Sequence, residues 1–97
     1  MITVTTKSGF TCEVNEKSFT DFRVMSAYSR MIDKRKGPED KLNGATDLVA
    51  ILLREQANEL YDHLEDDEYY VDPQLVFEEL EDIMGQIQEA APEVKKS

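Results

Sequence analysis

His63 is the only imidazole in this 97-residue chain and Cys12 the only thiol, so any nucleophilic or acid–base chemistry would have to be built on one of them. His63 stands one helical turn from Glu59 and close to Asp66 and Asp67. Carboxylates there would raise the imidazole's proton affinity, although the position equally suits a solvated surface residue. Cys12 alternates with Phe10 and Val14 in a strand pattern, a setting for a packed side chain rather than a reactive thiolate. Ser26 and Ser29 have no base beside them, and there is no glycine-rich phosphate loop. The acidic run from Glu65 to Asp72 lacks the alternating ligand order and the bend glycine that a calcium loop requires. No catalytic residue, no metal site and no cofactor are expected from these residues, and an enzyme is not expected.

Charge is the more informative signal. From Glu55 to Val94 there are 14 carboxylates and no Lys or Arg, whereas the first 54 residues carry nine basic and seven acidic side chains. The formal charge of −10 is therefore strongly segregated, which points to partners rather than to fold. An acidic surface repels nucleic acid and anionic membrane, so neither is an expected partner. The basic cluster Arg30, Lys34, Arg35, Lys36 and Lys41 is a candidate for self-association: it would face the acidic surface of Glu59–Asp72 or Glu78–Asp82 on a second copy, giving a weak homo-oligomer that loosens as salt rises.

The elements that position these groups are those of an α+β, mainly α, fold with an N-terminal β-hairpin packed on three to four helices. Residues 1–90 read as a single small domain. Residues 2–14 alternate with period two around Lys7-Ser8-Gly9 and form a hairpin, with Ile2, Val4, Phe10, Cys12 and Val14 on its buried face. A helix is expected over 18–34, started by a capping-box-like Ser18-Phe19-Thr20-Asp21 and carrying Phe19, Phe22, Met25, Tyr28, Met31 and Ile32 at helical spacing. Gly37-Pro38 and Asn43-Gly44 mark 35–46 as a charged loop. A helical region over 46–65, bent near Arg54-Glu55, precedes the acidic link. Asp72-Pro73 is a strong start signal for a helix over 72–90. Residues 91–97, with Pro92, read as a flexible tail. The lone cysteine, a strand-like N-terminus and the lack of a long apolar run fit a protein of a reducing compartment that is neither exported nor membrane-spanning.

Two features are candidate partner-binding sites. The last helix carries an apolar stripe of Val76, Leu80, Ile83, Met84 and Ile87, which suits either a core or a groove for a partner helix. Tyr69 and Tyr70 beside the acid run suit either a helix anchor or an exposed aromatic contact.

The order of these elements resembles the tail assembly chaperones of long, non-contractile-tailed bacteriophages (siphophage type). The resemblance covers residues 1 to about 90 and is carried by the Ile2–Val14 hairpin with its Ser-Gly turn and by Phe19-Thr20-Asp21-Phe22. It continues through Leu52-Leu53-Arg54-Glu55-Gln56, Leu60 and His63-Leu64, and closes with Leu75-Val76-Phe77-Glu78-Glu79-Leu80-Glu81-Asp82-Ile83-Met84. Members of that family often carry a glycine near Arg54 and another in the link at 66–70, and this chain has neither. The resemblance implies a non-enzymatic assembly factor of the host cytoplasm, absent from the mature virion, that binds the tape measure protein and assists assembly of the tail tube protein. It also implies short and frameshifted forms, which Lys95-Lys96 could encode through a slippery run. The competing expectation from charge and size is an acidic nucleic-acid mimic that inhibits a DNA-binding host protein.

Overall fold

The computed structural model describes residues 1–90; the expected tail, 91–97, lies outside the described residues. Strands β1 (Ile2–Thr5) and β2 (Thr11–Val14) pair antiparallel with Ile2 opposite Val14 and Val4 opposite Cys12. The turn between them is closed by Thr6 N–H donating to Phe10 O at 2.8 Å and Gly9 N–H to Thr6 O at 2.9 Å. Gly9 takes φ 95°, which a residue without a Cβ adopts at little cost. Val4, Phe10, Cys12 and Val14 are buried and Ile2 packs against them, the inward face expected from the alternation. A two-stranded sheet leaves backbone edges open. Gln56 closes one of them: its Oε1 accepts from Glu13 N–H at 2.9 Å and its Nε2 donates to Glu13 O at 2.8 Å.

The first helix begins later than its expected capping box. Residues Glu16–Thr20 form a 3-10 turn capped by Asn15, and α1 (Phe22–Ile32) starts on Asp21, whose Oδ1 accepts from Arg23 N–H at 2.8 Å. Asp21 itself is extended, at φ −68° and ψ 129°, because its side chain satisfies the new helix rather than continuing the old turn.

The expected loop at 35–46 is corrected by α2, which runs from Pro38 to Leu53. Gly37 is its N-cap, Pro38 occupies the first turn, and Glu39 and Asp40 meet the positive end of the helix dipole. Gly-Pro here starts a helix and does not end one, since α1 has already stopped at Ile32 with Asp33 as its C-cap. Gly44 is not in a turn either: it is buried where α1 crosses α2, and a Cβ there would lie 2.7 Å from Ala27 O and 2.9 Å from Met31 N. The glycine permits the two backbones to touch.

The expected bend falls at Arg54, which takes φ 54° and ψ −120° and ends α2. A 3-10 turn (Arg54–Gln56) leads into α3 (Ala57–Leu64). After the acidic link, α4 (Pro73–Ala90) starts on Asp72, whose Oδ1 accepts from Gln74 N–H at 3.0 Å. The hairpin lies on α2 and α4, and the core gathers Val4, Val14, Val24, Leu48, Leu53, Leu60, Leu80 and Ile83. No helix of the described residues is long and apolar enough to cross a membrane.

Candidate functional site

The stripe on α4 is corrected as a partner-binding face. Leu80, Ile83, Met84 and Ile87 are buried to within 1% exposure and Val76 packs against them. Leu80, Ile83, Met84 and Ile87 hold α4 to the rest of the chain, while half-buried Val76 also lines a surface groove beside Leu42, Tyr61 and Phe77. The width of the stripe was legible, but the hairpin and α2 cover it.

Among the described residues, the one helix with several large exposed apolar residues is α1; elsewhere Met1, Leu42 and Leu75 are exposed singly, and Tyr69 and Tyr70 together on the link. The inward face of α1 is Val24, Ala27 and Met31, with Tyr28 half-buried beside them. Phe22, Met25 and Ile32 are 83%, 55% and 47% exposed, and with exposed Ser29 they follow a 3-4-3 spacing. At 3.6 residues per turn those four positions make one seam on the side of the helix away from the core. Such a spacing is the a/d register through which one helix takes another, knobs into holes. The expected helical pattern joined Phe22, Met25 and Ile32 to Phe19, Tyr28 and Met31 as one face; the structure divides them between two. Val24 and Ala27, with their 3-4 relation to Met31, were the signal that separates the faces.

A second surface is the groove between the N-terminal turns of α2 and α4. Pro38, Leu42, Pro73 and Phe77 form its walls, and Lys36 and Lys41 stand on its rim; it holds about 360 Å³. A smaller extension of about 180 Å³ continues past Leu42 and Phe77 to Tyr61 and Val71.

The basic cluster expected to drive self-association is partly consumed within the chain. Arg30 Nη2 pairs with Asp47 Oδ2 at 2.8 Å, tying α1 to α2. Arg35 binds Asp33 through Nε–Oδ1 and Nη2–Oδ2 contacts of 3.1 Å each. The Arg35 guanidinium and backbone amide hold the Asp33 carboxyl down at about 2. Lys34, Lys36 and Lys41 make no ion pair among the described residues.

Tyr69 and Tyr70 are exposed, at 85% and 57%, on a tight loop built by Asp66. Its Oδ1 accepts from Glu68 N–H at 2.8 Å and Tyr70 N–H at 3.0 Å. Its backbone N–H donates to Tyr70 O at 2.9 Å, and Tyr69 N–H donates to its carbonyl at 3.1 Å. Of the two uses open to these tyrosines, the loop realises the exposed one.

His63 sits not among the carboxylates of its own helix but against the hairpin turn. Its Nε2 is 3.0 Å from Ser8 Oγ and 3.2 Å from Ser8 O, and its ring is 5.6 Å from the Phe10 ring. A carbonyl oxygen can only accept, so the tautomer that satisfies both contacts is the one that donates from Nε2. The polarity continues inward: Ser8 Oγ lies 3.1 Å from Thr6 Oγ1, which donates to the buried Glu79 Oε1 at 2.7 Å. Lys7 N–H donates to Asp82 Oδ2 at 2.8 Å, and Gln86 Nε2 to Thr5 O at 3.0 Å. This relay clasps the hairpin turn to α3 and α4. Sequence spacing could not reveal it, since the partners are 55 to 81 residues apart. Cys12 is buried, and desolvation, helped by the Glu79 charge, pushes its thiol up to about 11. Among the described residues no three His, Cys, Asp or Glu side chains converge as a metal site.

No family model, curated protein or solved structure matches this chain.

Proposed function

We propose that this protein is a siphophage-type tail assembly chaperone, and that it holds the helical tape measure protein along the outer face of α1. The heptad-spaced seam of Phe22, Met25, Ser29 and Ile32 carries this reading. An apolar seam on the solvent side of a helix marks an interaction surface, and its register fits another helix. Burying a Phe, Met or Ile side chain returns roughly 1.5–3 kcal/mol, so three of them can offset the cost of immobilising a client segment. The charge of −10 keeps a complex of apolar helices in solution.

Backbone geometry also favours the family. Its glycines near Arg54 and in the 66–70 link fall where this chain, among its described residues, holds its two non-glycine positive φ values: Arg54 at 54° and Tyr69 at 63°. Arg54 and Tyr69 thus hold, without glycine, the kind of bend that glycine favours. By the same resemblance the protein acts in the host cytoplasm, assists addition of tail tube protein, and leaves before the virion is complete.

Co-expression tests the proposal. A tape measure fragment should be soluble and co-purify with the intact chain, and should be lost with Phe22→Ser/Met25→Ser. Retention of a basic DNA-binding enzyme in place of the tape measure fragment would overturn it in favour of the nucleic-acid mimic.

A further inference from the structure

We infer that two copies of this chain form a reciprocal dimer, each inserting Tyr69 and Tyr70 into the α2/α4 groove of the other. This goes beyond the client-binding role, which uses α1, and does not depend on it.

The aromatic loop is built to protrude. Asp66 fixes it with four hydrogen bonds, and Tyr69 holds the left-handed backbone of φ 63°. Little ordering entropy therefore remains to be lost on docking, and rigid Tyr side chains are favoured anchors. Tyr69 is 85% exposed, so it does not fill its own chain's groove.

The groove is its chemical complement. Its walls are apolar, and its rim carries Lys36 and Lys41, which have no carboxylate partner among the described residues. The loop brings Asp67 and Glu68, both exposed, beside its tyrosines. Two cations around an apolar slot thus meet two anions beside an aromatic plug.

Chain geometry then sets the symmetry. Pro73 lines the groove and follows Tyr69 by four residues, a span of at most about 14 Å. Plug and slot are therefore neighbours on the surface of one chain. Two copies that bring these regions together about a two-fold axis make both insertions at once, and the contact closes on itself. Salt concentration alone does not read this contact, because screening weakens the local attraction and the repulsion between two copies of charge −10 together. Charge reversal does read it.

Sedimentation velocity at high protein concentration should show a monomer–dimer equilibrium. Tyr69→Ala/Tyr70→Ala should weaken it by about tenfold or more, with the melting curve preserved. Lys36→Glu/Lys41→Glu and Asp67→Lys/Glu68→Lys should each be monomeric alone. Mixed, they should form a heterodimer, because both insertions again pair opposite charges. A wild-type chain that stays monomeric, oligomers that grow beyond two, or reversed variants that still self-associate would each overturn the dimer. A monomer that still binds a tape measure fragment would do so and leave the chaperone proposal standing.

Discussion

Arg54 holds φ 54° and ψ −120° with a full side chain, a backbone state that glycine adopts freely and other residues at a cost of about 1–3 kcal/mol. Its side chain is exposed, so Arg54→Gly relieves strain and removes little packing. Glycine also loses more entropy on folding, by about 0.5–1 kcal/mol, which leaves a net gain near 1 kcal/mol. The urea midpoint should rise; a fall would mean that the bend is not strained. Cys12 gives a residue-scale test with a defined pH window. Its thiol titrates near 9.0 when unfolded and at about 11 when folded, so the stability it contributes is complete below pH 9 and is lost as pH climbs toward 11. Burial raises the Tyr28 and Tyr61 phenols from 10.0 as well, so the fall between pH 9 and 10 belongs chiefly to Cys12. Cys12→Ala should flatten stability against pH in that interval, and a native thiol that alkylates readily at pH 8 would contradict its burial.

Helix pairing turns on Gly44. Glycine in a helix interior costs about 1 kcal/mol against alanine, yet a Cβ at this point would press on the Ala27 and Met31 backbones. Neither can withdraw as a flexible side chain would. Gly44→Ala should therefore destabilise the fold, by about 1–3 kcal/mol as overpacking does, despite its better helix propensity; a more stable protein would place α1 farther from α2. The relay is testable in the same way: Thr6→Val leaves Glu79 buried without its hydroxyl donor, at about 1–3 kcal/mol. These elements also mark how far the sequence is legible. Period-two alternation around Gly9 and the Asp72-Pro73 start are local signals, and the hairpin and α4 follow them. Gly37-Pro38 and Asn43-Gly44 are local signals too, but tertiary packing overrides them: the glycine that looks like a turn serves a helix crossing. On α1 the apolar residues surround much of the helix, so periodicity alone could not say which half faces the core. Tyr69 and Tyr70 could be named from the sequence; the groove and the His63 clasp, made by residues distant in the chain, could not.

At the scale of the whole molecule, charge and apolar surface have separate places. Of the 14 carboxylates between Glu55 and Val94, Glu79 is the one that the fold buries among the described residues, so the acidic stretch is the solvated side of α3, the link and α4. The mutual repulsion this creates predicts a melting temperature that rises as salt goes from about 0.01 to about 1 M, where the Debye length shrinks from about 30 to about 3 Å. The exposed ion pairs weakened meanwhile are worth at most about 1 kcal/mol each. A melting temperature that falls would show that those pairs outweigh the repulsion. The central claim is that the bare seam of α1 is the client site, and calorimetric titration of a helical tape measure fragment into wild type and into Phe22→Ser/Met25→Ser tests it most directly. The account predicts binding to wild type and an affinity at least about tenfold weaker for the variant, with an unchanged melting curve. Equal affinities, or no binding to either, would contradict it.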